Sequence, residues 1–504
     1  SSGSSTTANA GTPVAGGTAT IQLFSEIATL DPVKATGSGG SDGQRFFANY
    51  GALLTLDAKD GKVSGLQAEY FKSVSTDNKT WELKIKPNQK FTDGTAYDAA
   101  AVKANWDRCK VPENASPARG VCAFMAKIEV SATDPLVLTV TNATSNAHLD
   151  KAVERTNMNY IASKKAIDDK TDMTQKPVGA GPFVMDEWIR DSRMVLSKNK
   201  DWNASTVYLD KLILQTQSVE QQRIDTFNTG ASDAFYTATP GSIDAATKGV
   251  KNSYVTTVGL TTGQTFVLNN AKAPFDDVRV RRAVVEAIDI KVLATDILNG
   301  SEPAVYFSVP GSPFHSENAK LPAYDLAAAQ KDIDAYVAEK GGPVKFTMLV
   351  FQQQLDQDRA KYILSQFQKL KNVQVDLAIN DSPTNIGKVL AGDYQWSSWG
   401  FPAPEPEPGL WNAAHSTSAT TLNPFNYSKY ANADVDKLLD EARASTDNTL
   451  RYANYKKVFD QLAKDVPYFP YVVTKNSFVC SPKLQGCELY EDGILRYDKL
   501  WKKA

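Results

Sequence analysis

Histidine is scarce in this chain of 504 residues: His148, His315 and His415 are the full set. No HExxH pair occurs, which excludes the zinc hydrolases built on that spacing. The P-loop and the GxGxxG turn are missing too, so the usual signals for nucleotide chemistry and dinucleotide binding are gone. No apolar run reaches the ~18 residues of a membrane-spanning helix. Charge of one sign is also lacking. With 55 basic and 57 acidic side chains the net charge is −2, and the chain has no basic face of the kind nucleic acid requires.

Cysteine is limited to Cys109, Cys122, Cys480 and Cys487, in two local pairs 13 and 7 residues apart. The pairs are far from each other in sequence, which favours two local disulfides over a metal site and suits an extracytoplasmic protein. Four free buried thiols are the alternative. The opening segment "SSGSSTTANAGTPVAGG" has Val14 as its one sizeable apolar side chain. It cannot bury enough surface to offset its ordering entropy, and residues 1–17 are expected to be a flexible tether with a reach of roughly 20–25 Å. With no initiator Met and no signal peptide, the start is that expected of a mature chain. A Ser/Gly/Thr leader of this kind often follows a lipidated cysteine, so a lipid anchor is one expectation and a plain disordered end is the other.

What the chain does contain is mixed α and β pattern. Ala19, Ile21 and Leu23 alternate in "TATIQLF", and Trp81, Leu83 and Ile85 alternate in "WELKIKP", each as one face of a half-buried strand. "FTDGT" predicts a turn at Asp93–Gly94. "AYDAAAVKANW" then predicts a helix with Asp98 near its N-terminus. Residues 345–379 read as a strand, a helix and a strand: Phe346, Met348 and Val350 alternate, Ile363, Phe367 and Leu370 take helical spacing, and Val373, Val375, Leu377 and Ile379 alternate again. That order implies a parallel pair with a right-handed crossover. Two further helices follow Asn432, with apolar stripes Val435, Leu438, Leu439, Ala442 and Tyr455, Val458, Phe459, Leu462. Open parallel sheets bind ligands beyond the carboxyl ends of their strands, and two such lobes facing each other would enclose a small molecule.

The unusual stretch is "SSWGFPAPEPEPGLW", Ser397 to Trp411. Large aromatics normally fill cores, but Trp399 and Phe401 stand where proline stops a strand from continuing. "PVGAGPF" (Pro177–Phe183) is glycine-rich without the Lys and Ser/Thr of a phosphate cradle, and Pro182 suits a fixed turn or crossover.

Several blocks in order resemble the family 5 extracellular solute-binding proteins, the oligopeptide, dipeptide and nickel receptors of ABC importers. They are "ATLDP" (Ala28–Pro32), "WELKIKPNQKFTDGTAYDAAAVKANW", "PVGAGPFVMDEW" with "LSKNKDWN", "VLNNAKAPFDDVRVRRAVVEAIDIKVL", "YANADVDKLLDEARAS" and "LAKDVPYFPYVV". The resemblance covers roughly residues 18–504. It implies an α/β, two-lobed periplasmic-binding-protein-like fold with an extra subdomain in the first lobe and a hinge between lobes. Lobe I would comprise 18–55, 178–268 and 480–504, the extra subdomain 56–177, and lobe II 269–479. Ligand binding would close the lobes and display a surface to the permease's transmembrane subunits. Neither cofactor nor metal is implied, no chemistry on the ligand is needed, and the expected state is a monomer. An enzyme or a non-transport sensor on the same scaffold is the alternative. Arg279, Arg282 and Asp289 read as structural charges around one helix.

The family's peptide receptors resemble "G-W-x-x-D", whose aspartate meets the peptide ammonium. Aligned on Trp399, that position is Pro402, and the nearest acids are Glu405 and Glu407. An ammonium left without a charge partner is costly. Where dipeptide receptors place a basic residue, this chain has "FQQQLDQDR", with Gln352, Gln353 and Gln354 offering uncharged amides and Arg359 expected on the following helix. The candidate ligand set is therefore Trp399, Phe401, Trp411, Arg45, Gln264, Gln353, Ser398 and Pro402. One version is an aromatic carboxylate held by Arg45 and stacked between Trp399 and Phe401. A peptide bound through its backbone is the other, with sugars, opines and chelated metals behind them. His415 is expected to be structural.

Overall fold

Ala19, Ile21 and Leu23 are buried on the strand Thr18–Leu23, as their alternation requires. The structure, a computed structural model, describes residues 11–35, 42–258, 261–400, 406–419 and 425–504. The chain divides into two units, Ser1–Gly259 with Lys475–Ala504, and Leu260–Thr474.

Among the described residues the first unit carries a seven-stranded sheet, in the order Tyr254–Thr257, Ser477–Cys480, Ala234–Thr237, Thr18–Leu23, Lys211–Thr216, Arg193–Lys198 and Phe183–Ile189. Thr18–Leu23 runs parallel to both of its neighbours. A separate four-stranded antiparallel sheet, Ala68–Ser73, Thr80–Ile85, Val137–Asn142 and Met125–Val130, lies within the stretch 56–177. Trp81, Leu83 and Ile85 point into its core, against Trp106 and Val102 of the helix Ala99–Lys110. Asp98 caps that helix by accepting the Ala101 N–H at 3.1 Å. The turn before it is held by Asp93, which accepts the Thr95 N–H at 3.0 Å, with Gly94 at φ 82°. In "PVGAGPF" the glycines serve close packing: a Cβ on Gly179 or Gly181 would lie 2.5 Å from Asn49 backbone atoms.

The second unit runs, in chain order, through β1 (Thr261–Leu268), α1 (Val278–Glu286), β2 (Glu302–Pro303), α2 (Leu326–Lys340), β3 (Val344–Phe351), α3 (Gln354–Phe367), β4 (Val373–Asn380), α4 (Ser382–Leu390), β5 (Trp396–Gly400), α5 (Gly409–Ala414), α6 (Ala433–Ala444), α7 (Asn448–Asp465) and β6 (Tyr468–Thr474). Its sheet order is β2-β6-β1-β5-β3-β4. β3 and β4 are parallel in register Val344↔Val373 to Phe351↔Asn380, with α3 as the crossover, as the periodicity predicts. β4 is the edge strand, so its apolar set is only partly covered and Ile379 is 46% exposed. The two helices after Asn432 form, and Asn432 caps the first of them through the Asp434 and Val435 N–H groups. Arg279 pairs with Asp277 and Glu339, Arg282 pairs with Asp332, and Asp289 caps the short helix after it.

Two expectations are corrected. The second unit spans 260–474 rather than 269–479, because β1 pairs with β5 and β6, whereas Ser477–Cys480 pairs with Ala234–Thr237 and Tyr254–Thr257 in the first unit. Cys109 and Cys122 form a disulfide, but Cys480 and Cys487 are two buried thiols, not a bridge. Burial, and then the hydrogen bond and charge of Cys487, push the Cys480 thiol well above its ordinary range and keep it protonated.

Glu286 of α1 and Asp332 of α2 make a carboxyl pair with Arg282 beside it. Arg282 Nη2 lies 2.6 Å from Asp332, and Nε lies 3.9 Å from Glu286. Burial, then the hydrogen bond and charge of Asp332, push Glu286 up to about 8. A group raised on folding stabilises the native state fully below its unfolded value, and that contribution is lost as pH rises through the folded value. The urea midpoint should therefore fall between pH 6 and pH 9, by on the order of 1–2 kcal/mol in stability. In Glu286→Gln that slope should flatten, because the amide keeps the donor without titrating; an unchanged slope would place the titration elsewhere.

Candidate functional site

The parallel strands β3 and β5 end together. Met348 is level with Trp396, which sets Val350 level with Ser398 two residues on. β1 starts at the same end, with Gln264 opposite Gly400. Gln264, Ser398, Trp399 and the exposed Gln352 and Gln353 thus gather at the carboxyl ends of parallel strands, where open sheets place ligands.

Strand alternation sends neighbouring candidates to opposite faces. Trp396 and Ser398 face α3. Trp396 is 1% exposed among Phe266, Phe346, Phe367 and Phe469. Trp399 faces the other way, half-buried against Tyr427 at 4.3 Å and close to Val389 and Tyr394. Its carbonyl accepts the Thr265 hydroxyl at 3.1 Å.

Arg359, placed on a helix by the sequence, lies in the second turn of α3 and reaches back over the sheet end. It is 8% exposed. Its Nη1 donates to Tyr471 Oη at 2.6 Å, and Nη2 donates to Asp356 and to Ser398 Oγ, the latter at 3.2 Å. The guanidinium stands 5.5 Å over the Phe266 ring and 5.2 Å over Tyr471. Burial alone would lower its pKa; Tyr471 and Asp356 outweigh that and hold it above the ordinary value. Tyr471 Oη in turn donates to Gln264 Oε1 at 3.1 Å. Burial pushes the Tyr471 phenol up to about 12, so its proton stays on. Sequence reasoning missed Tyr471, because "PYFPYVV" reads as core strand, and a hydroxyl in the middle of a fully buried strand was the one available signal.

The other candidates sit differently. Trp411 is 3% exposed, with the Arg443 guanidinium 3.8 Å over its ring and the His415 ring stacked at 4.3 Å. It packs α5 against α6 rather than facing a ligand. Glu407, just before it, is buried in a charge pair, accepting from Arg443 Nε at 2.8 Å and from Nη2. Arg45 belongs to the first unit, on the helix Gln44–Tyr50. At 1% exposed it donates to the Ser25 carbonyl and the Thr216 hydroxyl, both at 2.8 Å, and lies 3.7 Å from Glu26. Burial lowers its pKa, and Glu26 is the largest opposing charge. Its charge is met from within the protein. Phe401, Pro402 and Glu405 lie outside the described residues.

Among the described residues no group of three or more His, Cys, Asp or Glu is placed to hold a metal. Ser308 Oγ lies 2.8 Å from His315 Nδ1, and His315 Nε2 lies 3.0 Å from Glu317. The order resembles a hydrolytic array, but Ser308 is 1% exposed and its Oγ accepts the Ser316 N–H at 3.1 Å. A hydroxyl enclosed in this way has no path to a substrate carbonyl. The three side chains tie down a loop.

Residues 62–421 match the family described as bacterial extracellular solute-binding proteins, family 5 Middle. The glutathione-binding protein GsiB of Salmonella paratyphi A is 25% identical over 498 residues, covering 95% of this chain and 93% of that protein. Two solved structures share the fold. AgaA of A. tumefaciens R10, in complex with agropinic acid, superposes with a TM-score of 0.83 over 97% of this chain and 99% of its own, at 22% identity. The periplasmic binding protein DppA of Helicobacter pylori, in complex with the peptide STSA, gives 0.83 over the same shares at 20% identity.

The Glu407–Arg443 pair anchors the stretch that ends in Trp411. Arg443→Met should cost about 3–5 kcal/mol in urea unfolding, since it takes a charged, doubly bonded partner from a buried carboxylate. A loss below about 1 kcal/mol would mean that water reaches Glu407.

Proposed function

The chain belongs to the family 5 bacterial extracellular solute-binding proteins and is a substrate-binding receptor of an ABC importer, and from that premise we propose that it captures a short peptide between its lobes and releases it unaltered. The observation that carries the ligand reading is the donor-rich strand end of the second unit. Gln264, Ser398 and the Gln352–Gln353 turn offer neutral hydrogen-bonding groups over the buried charge of Arg359. Such a surface suits carbonyl and carboxylate oxygens, and Trp399 offers an apolar flank. GsiB is named for a tripeptide and DppA is solved with a tetrapeptide, which supports the same choice.

A second reading is a non-peptide acid, an opine or aromatic carboxylate. The specific observation in its favour is Pro402, which stands where the peptide receptors it resembles carry the aspartate for the ligand's ammonium. AgaA, solved with agropinic acid, supports it as well. An extracytoplasmic location follows from the family. A lipid anchor ahead of the Ser/Gly/Thr-rich start, a monomeric state, residues 56–177 as a subdomain of the first lobe and hinge closure toward the permease belong to the same proposal. No helix among the described residues is long and apolar enough to cross a membrane.

A thermal-shift screen over di- to pentapeptides, glutathione, aromatic carboxylic acids and oligosaccharides tests this. Peptides should raise the melting temperature in step with the logarithm of their concentration, by about 2.7 kcal/mol of stability at a hundredfold excess over Kd. Stabilisation by acids without peptides would select the second reading, and stabilisation by oligosaccharides alone would refute both.

A further inference from the structure

We propose that Arg359 and Tyr471 act as positioning residues that lock the Gln264 amide in one sense, so that its Nε2 faces outward as a donor and the ligand atom it meets is an acceptor oxygen. This rests on the reading of the strand end as the ligand site. An arginine can only donate, so at 2.6 Å from Nη1 the Tyr471 oxygen is an acceptor. The phenol keeps its own proton and has one further bond to give. The acceptor within reach is Gln264 Oε1 at 3.1 Å. Turned the other way, the amide would offer Nε2 to an oxygen already serving Arg359, and the buried phenol proton would lose its partner, which is the costly outcome. The charge on Arg359 polarises the phenol and strengthens its onward bond.

The relay is itself held rigid. Asp356 and Ser398 engage Nη2, and the Phe266 ring lies beneath the guanidinium. Tyr471 is 2% exposed on β6, paired beside β1. Gln264 is half-buried at the start of β1, and its Nε2 has no partner among the described residues. The direction fixed at this point discriminates by chemistry. A peptide carbonyl or a carboxylate oxygen is accepted, whereas an ammonium would face two N–H groups and is rejected. A zwitterionic ligand therefore binds with its oxygen end, not its amine, at Gln264.

The test reads the amide directly and does not depend on knowing the ligand. In protein labelled with ¹⁵N-glutamine, the Gln264 side-chain resonance is assigned by its loss in Gln264→Glu. Both of its hydrogens should exchange with water as an unbonded amide does, and Tyr471→Phe should leave the exchange fast while shifting the resonance. A protected Nε2 hydrogen that becomes unprotected in Tyr471→Phe would show Nε2 bonded to the phenol and overturn the proposal. Tri-alanine is the probe for the binding arm. Its addition should move the Gln264 N–H protons downfield, and Tyr471→Phe should weaken it about fivefold, measured well below the melting temperature of the variant, which the lost bond to Arg359 should lower. Bound tri-alanine with affinity altered less than twofold by Tyr471→Phe would also overturn the positioning role. If tri-alanine fails to bind the unaltered protein, the peptide reading of the preceding section falls, and the exchange measurement still decides the relay.

Discussion

A guanidinium withdrawn from water must find partners for its charge and its donors, and at the carboxyl ends of β3 and β5 that requirement organises the second unit. Arg359 draws in Asp356 from its own helix, Ser398 from β5 and Tyr471 from β6. Those bonds tie one helix and two strands at a single point. Among the described residues they also leave a neutral rim of Gln264, Ser398, Gln352 and Gln353, because the charge of Arg359 is already met. On the proposed reading, the site selects its ligand through directed hydrogen bonds rather than through an exposed ion.

A second buried charge does the equivalent work for the proline-rich stretch. Glu407 and Arg443 pair out of water, and Arg443 lies flat on Trp411. The end of "SSWGFPAPEPEPGLW" is thus a fixed abutment against α6, and its start, Ser397 to Gly400, is the last part of a sheet strand. The segment joins a packed core to the strand end without offering Trp411 to a ligand. The two tryptophans of the candidate set sit differently: Trp399 is half-buried at the sheet end, and Trp411 is enclosed between a cation and an imidazole.

Local pattern made much of the fold legible. The alternation of Trp81, Leu83 and Ile85, the Asp98 cap and the strand–helix–strand unit from 344 to 380 are short-range features, and period and capping chemistry reveal them directly. What stayed hidden depends on residues distant in sequence. Arg359 and Tyr471 are 112 positions apart, and Glu407 and Arg443 are 36 apart. No periodicity links either pair. The opposite facing of Ser398 and Trp399 was available from strand alternation alone. Proline after Phe401 marks where the strand stops, and β5 runs to Gly400. Cys480 and Cys487 show the limit of spacing arguments, since a short interval permits a bridge without requiring one.

The central claim is that this receptor holds one solute through directed hydrogen bonds and gives it back unchanged. The most direct measurement is mass spectrometry of the solute recovered after saturating the protein with a defined pool of short peptides, washing it and denaturing it. One equivalent per chain, at the intact mass of a pool member, is the predicted result. Recovery of cleaved or otherwise altered peptides, or of none after saturation, would contradict it.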